Sequence, residues 1–233
     1  MYDVVTGGVR YLAANGPRAA LRRVVTRVRP QLYMHETHVW SALVLAGERP
    51  RLALPAGYTL ARAGATDLPK LAELDVDVEL GRQRLADGAE LWLISHGAET
   101  VYCGWVFHGR APTIAAPGGW VNLPRGIVNP EDMVTAPTHR GRGLASAAYT
   151  LLCDDLQRGD RASRIVGKVP VDNSANRRAL VKSGWREFAL VDFRRVGPWR
   201  RTTVRQMEPA NHDPGADELT AWLASAMGSR SGR

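Results

Sequence analysis

The chain has 233 residues, 45% of them apolar and 23% charged, the proportions of an ordinary globular protein long enough to bury a core without disulfides or metal. Its net charge of +8 comes almost wholly from arginine, since Lys70, Lys168 and Lys182 are the only lysines, and guanidinium groups suit partners that bear phosphate or carboxylate. No apolar run approaches the roughly 18 residues of a membrane span, the first thirty residues hold no secretory stretch, and Cys103 and Cys153 show no metal-ligand spacing, so a cytoplasmic protein with no disulfide and no bound metal is expected.

In chain order, residues 1–55 read as an appendage. They comprise a basic helix over 17–28, with Leu21, Val24, Val25 and Val28 on one face, and a strand over 31–45. That helical face reads as packing on its own domain, with an anionic membrane surface as the alternative. Residues 56–209 form the main domain. They begin with an alternating strand over 57–63, a helix capped by Thr66 and running to Leu74, and a second helix over 77–86. Two apolar runs joined by His96-Gly97-Ala98-Glu99 predict a hairpin over 90–108, followed by a loop over 112–119. A strand over 120–135 is interrupted by Pro124 and Pro130, which argue for a bulge or an edge. The longest clean helix covers 145–158. A strand over 163–169, a helix over 173–182 and strands over 185–196 and 202–208 follow. Residues 210–233 form a polar tail with a short helix over 216–227 and a disordered end. Helices separate some strands but not the middle ones, so the fold class is α/β in the α+β sense: a mixed, mostly antiparallel sheet flanked by helices.

The stretch from Val134 to Ser146 (VTAPTHRGRGLAS) carries the chemistry. A strand ends, a turn rich in glycine and arginine follows, and a long helix begins. Gly141 and Gly143 let the backbone turn sharply and admit a ligand closely. The free N–H groups of the first helical turn then point at whatever fills the loop, and the helix dipole favours an anion there. With Arg140 and Arg142 beside those amides, the loop is a pyrophosphate site on physical grounds. It is not a P-loop, because Leu144-Ala145 follows Gly143 where Lys and Ser or Thr are required. It is not a dinucleotide fingerprint, which needs three spaced glycines early in the chain.

Arg140-x-x-Gly143-x-Ala145, preceded by Thr135-Ala-Pro137, resembles the acyl-CoA loop of the GNAT superfamily. About thirty residues on, the segment from Val171 to Trp185 resembles that superfamily's Asn-x-x-Ser/Asn…Gly-Phe segment. The resemblance covers residues 57–208. It implies a strand that splays from its neighbour, with Met133, Val134 and Thr135 offering backbone groups to pantetheine. Gly141, Arg142, Gly143, Leu144 and Ala145, beside Arg140, would hold the pyrophosphate, and Asn173 would reach the pantetheine arm; read from the residues alone, Asn173 is equally a helix cap.

The resemblance implies direct attack of an amine on the thioester of acetyl-CoA or a longer acyl-CoA, with a base on the strand before the loop. Glu131 is preferred to Asp132 because it stands two residues before Met133, on the same face if alternation holds; a bulge at Pro130 would reverse that choice. The tyrosine that serves many relatives as general acid falls at Leu180, and Tyr149 reads as packing. His35 and His38 do not share a strand face, so no metal site is expected. The first reading is thus an N-acyltransferase acting on a small-molecule amine, alone or as a homodimer. The alternatives are an enzyme taking its acyl group from an acyl carrier protein, a non-catalytic module that binds CoA or an amine, and a nucleic-acid binder, which is not expected.

Overall fold

The computed structural model describes residues 33–207 and 215–228; the helix expected over 17–28 and the end of the tail lie outside them. In chain order come β1 (Tyr33–Val44), β2 (Tyr58–Ala63), a 3-10 helix (Ala65–Leu74), α1 (Val78–Ala86), β3 (Glu90–His96), β4 (Glu99–His108), β5 (Arg110–Pro112) and β6 (Trp120–Asn122). They are followed by β7 (Ile127–Thr135), α2 (Leu144–Arg158), β8 (Arg164–Pro170), α3 (Ser174–Lys182), β9 (Arg186–Val196), β10 (Trp199–Gln206) and α4 (Ala216–Ala226).

Eight strands make one sheet in the order β10-β9-β1-β8-β7-β4-β3-β2, and β5 pairs with β6 apart from it. Among the described residues only β7 and β8 run parallel. This is the mixed, mostly antiparallel sheet with flanking helices that the element order predicts. The expected appendage ending at residue 55 is corrected for its strand. β1 lies inside the sheet, paired with β8 from His38 to Val44 and with β9 from Tyr33 to Ala42. Val39, Trp40, Ser41, Ala42 and Leu43 are all buried, and a strand buried on both faces belongs to a sheet interior. Two smaller expectations also change. The strand over 120–135 is divided into β6 and β7, and the helix after β2 is 3-10 with Gly64, not Thr66, at its cap, where the Asp67 carboxylate accepts the Gly64 N–H at 3.0 Å.

Helices cover both faces of the sheet. On one face α2 packs Leu152 and Leu156 against Val106, Val128 and Ile165. Leu156 and Ile165 are fully buried, and each side chain so placed contributes roughly 1.5–3 kcal/mol. On the other face lie the 3-10 helix, α1, the β5–β6 segment and α4, with Trp40 edge-on to Trp222 at 6.2 Å.

β7 sets the geometry of the centre. It pairs with β8 only at Ile127 and Val128, and beyond them the two strands part. Pro130, which has no N–H to give a ladder, follows two residues after the last pair. Asn129 partly fills the gap by donating from Nδ2 to the Val166 carbonyl at 2.8 Å. Further along, Trp105 faces Glu131 and Cys103 faces Val134, so Asp132 and Met133 together stand opposite Gly104. That is a β-bulge with Asp132 in the left-handed region at φ 49. Gly104 is small because the Met133 side chain fills the space a Cβ would take.

Candidate functional site

The N-terminus of α2 is built by two left-handed glycines. Gly141 has φ 77 and Gly143, the cap residue, φ 79, and a Cβ on either would meet no atom within 4 Å. The space above the loop is open, and the glycines answer to backbone conformation, not crowding. The first intrahelical bond runs from the Ala147 N–H to the Gly143 carbonyl at 3.0 Å, which leaves the N–H groups of Leu144, Ala145 and Ser146 ahead of it without a helical acceptor.

These groups face a groove of about 680 Å³ between the end of β7, the loop and α3. Met133, Val134, Thr135, Arg140, Gly141, Gly143, Leu144, Ala145 and Asn173 all line it. Arg142 does not. Its guanidinium turns back to the Tyr58 hydroxyl at 3.0 Å and the Thr138 carbonyl at 3.3 Å. Tyr58 also bonds His139 Nδ1 at 2.8 Å, and His139 Nε2 lies 3.4 Å from Glu99. Arg142 therefore braces the loop from behind. Asn173 accepts the Asn176 N–H at 3.1 Å and caps α3 while lining the groove.

Among the groove residues that escaped the sequence reading are Asn176, Arg178 and Lys182 on α3. Their signal was there, since Ala175, Asn176, Ala179 and Lys182 recur at helical spacing and so share a face. Arg140, Arg178 and Lys182 make the groove cationic, and no carboxylate lines it. Open glycines, unbonded helical N–H groups and three cations fit a diphosphate-bearing ligand such as CoA.

A polar cluster lies on the opposite face of the sheet, where β7 has parted from β8. Glu131 lies there, its Oε1 2.6 Å from Lys168 Nζ, with both side chains nearly buried. Lys168 also donates to the Pro112 carbonyl at 2.9 Å. Burial pushes the Glu131 carboxyl above its usual range, while the Lys168 ammonium opposes the rise. The bulge corrects the expectation that Glu131 shares a face with Met133. Met133 packs with Ala148 and Leu152 of α2, whereas Glu131 points to the α4 face. Asp132, the rival candidate, is exposed and paired with Arg84. His38 stands near this cluster, 3.8 Å from Glu36, and its pKa is lowered to about 4 by burial and then by Lys168. His35, on the other face, bonds Asp192 at 2.7 Å. Leu180 and Tyr149 are both buried, and Tyr149 is edge-on to Trp185 at 5.3 Å. Among the described residues no group of three His, Cys, Asp or Glu could hold a metal ion, and no helix is long and apolar enough to cross a membrane.

No protein-family profile matches the chain, and no curated protein is similar to it in sequence. Solved structures do resemble it. A tandem GNAT protein from the clavulanic acid biosynthesis pathway superposes with a TM-score of 0.52 at 17% identity, over 84% of this chain and 60% of that one. A Drosophila protein solved by structural genomics gives 0.51 at 14% identity, over 76% and 58%. A GCN5-related N-acetyltransferase from Kribbella flavida gives 0.48 at 16%, over 74% and 60%. The chain spans 58–60% of the length of these three structures. The fold is GNAT-like.

Proposed function

We propose that the protein is an N-acyltransferase that takes an acetyl or longer acyl group from acyl-CoA and gives it to a primary amine. The observation that carries this reading is the cationic groove over the open first turn of α2, bordered by the strand that also bears the buried Glu131 carboxylate. Bound in the groove, acyl-CoA would supply an activated acyl thioester. The N–H groups of Leu144, Ala145 and Ser146, with Arg140, Arg178 and Lys182, hold the diphosphate. Met133, Val134 and Thr135 present unpaired strand edge along the gap to the pantetheine arm, and Asn173 flanks it.

Glu131 takes the proton from the ammonium of the acceptor, which comes from the α4 face. Burial makes its carboxylate a stronger base than a solvated one, and the Lys168 ammonium opposes that rise. Thiol release from acetyl-CoA with an amine panel tests the reading; turnover supports it, and no thiol release with any amine would count against it.

A second reading is a module that binds CoA without turnover. It is favoured by Leu180, which puts a hydrocarbon where a proton donor serves many relatives, and by the engagement of Glu131 with Lys168. CoA affinity without thiol release is its signature. An acyl carrier protein as donor would use the same cationic groove and is tested by acyl-carrier thioesters in the same assay.

A further inference from the structure

A second cavity, of about 740 Å³, lies on the α4 face between β10, the 115–118 segment and the end of α4. Phe193, Arg200, Arg201 and Thr202 line it, and no carboxylate does. The β9–β10 hairpin sets Arg200 directly opposite Arg195 and Arg201 directly opposite Arg194. Like charges in register destabilise a sheet, so nothing in the strand pairing accounts for two successive arginine pairs. Arg194 is compensated by Asp192 at 3.0 Å. Arg200 shares the face of Phe193 and Thr202 and points to the cavity, while Arg201, next to it in the strand, lines the cavity from the other face of β10; neither has a carboxylate partner among the described residues.

One chain segment touches both the cavity and the centre. Residues 112–115 run between two anchors: the Pro112 carbonyl accepts from Lys168, and the Ala115 carbonyl accepts from the Thr202 hydroxyl at 2.7 Å. The register gives the span. Lys168 faces Trp40, and Phe193 faces Glu36 four residues earlier on β1. At about 3.3 Å per residue and about 4.8 Å per strand, the cavity wall lies about 16 Å from the Lys168 backbone.

We infer that this cavity binds an oxyanion, carboxylate or phosphate, at the far end of the acceptor, so that the acceptor is an extended amine that bears an acid, its length on the order of the roughly 16 Å between the Lys168 and Phe193 backbones. The inference rests on the acyltransferase reading for its substrate and on the hairpin arginines for its site. Two arms keep these apart. In the first, CoA saturates the groove and inorganic phosphate is titrated while Tm is followed. Wild type rises, and the double variant Arg200→Gln/Arg201→Gln does not. Without phosphate the variant melts at the same or a higher temperature, because the opposed charges are gone. In the second, pentaglycine, which spans at most about 18 Å, is compared as acceptor with its C-terminal amide. The free acid has a KM at least fivefold lower, and the double variant abolishes the difference. An equal Tm response in wild type and variant, or equal KM for acid and amide, overturns the site. An arginine-dependent phosphate response with neither peptide turned over leaves the anion site standing and counts against acyl transfer.

Discussion

Glu131 Oε1 and Lys168 Nζ meet at 2.6 Å where β7 has left β8, three residues beyond the last pair of those strands. The pair stands on the α4 face of the strand whose end borders the α2 groove.

A base in this position makes Glu131→Gln lose about 10²–10⁴-fold in kcat. CoA affinity, read by calorimetry, stays within about twofold, since the groove is lined without Glu131. A variant that keeps its kcat would exclude the carboxylate as base.

The pH profile follows from the same pair. Burial raises the Glu131 pKa, so the ionised base is lost as pH falls through a value above the ordinary carboxylate range, and the acid limb of kcat/KM lies there. Lys168 lowers that pKa. Lys168→Met therefore moves the limb to higher pH with the same amine. An unmoved limb would separate Lys168 from the titrating group.

The groove predicts an order among its cations. Arg178→Gln and Lys182→Gln each weaken CoA binding by about two- to fivefold, less at high salt, as partly exposed charges do. Arg142→Gln acts through the Tyr58–His139 brace, so it lowers Tm as well as affinity and its effect varies less with salt. Calorimetry at two ionic strengths with parallel melting curves distinguishes the two behaviours.

Local chemistry was legible in the sequence, and distant pairing was not. The turn at Gly141 and Gly143 and the start of α2 are written in adjacent residues, so the groove's loop could be read directly. The place of β1 depends on strands more than a hundred residues away, and nothing within residues 33–44 names β8 and β9 as neighbours. Pro130 announced an irregularity in β7, yet the extra residue fell at Asp132, and that one-residue offset put Glu131 and Met133 on opposite faces. The direction of Arg142 was equally hidden, because it is set by Tyr58 on another strand.

His38 gives a stability prediction. Its pKa is about 4 in the fold against 6.5 for the unperturbed group. Between those values the unfolded chain binds the proton and the folded chain does not, so stability falls as pH drops from 6.5 toward 4 and levels off below. In His38→Gln this part of the loss is absent. Melting curves across that window check it, and parallel pH dependence in wild type and variant would contradict it.

The central claim is that a diphosphate rests on the first turn of α2, and Ala145→Glu tests it most directly. A carboxylate in a first helical turn favours the helix by about 0.3–1 kcal/mol, so the variant folds and melts at or above the wild-type temperature. The same charge stands where the diphosphate must lie, so the CoA dissociation constant measured by calorimetry rises at least tenfold, about 1.4 kcal/mol. Unchanged CoA affinity in the folded variant, or no CoA binding by the wild-type protein, would contradict the account.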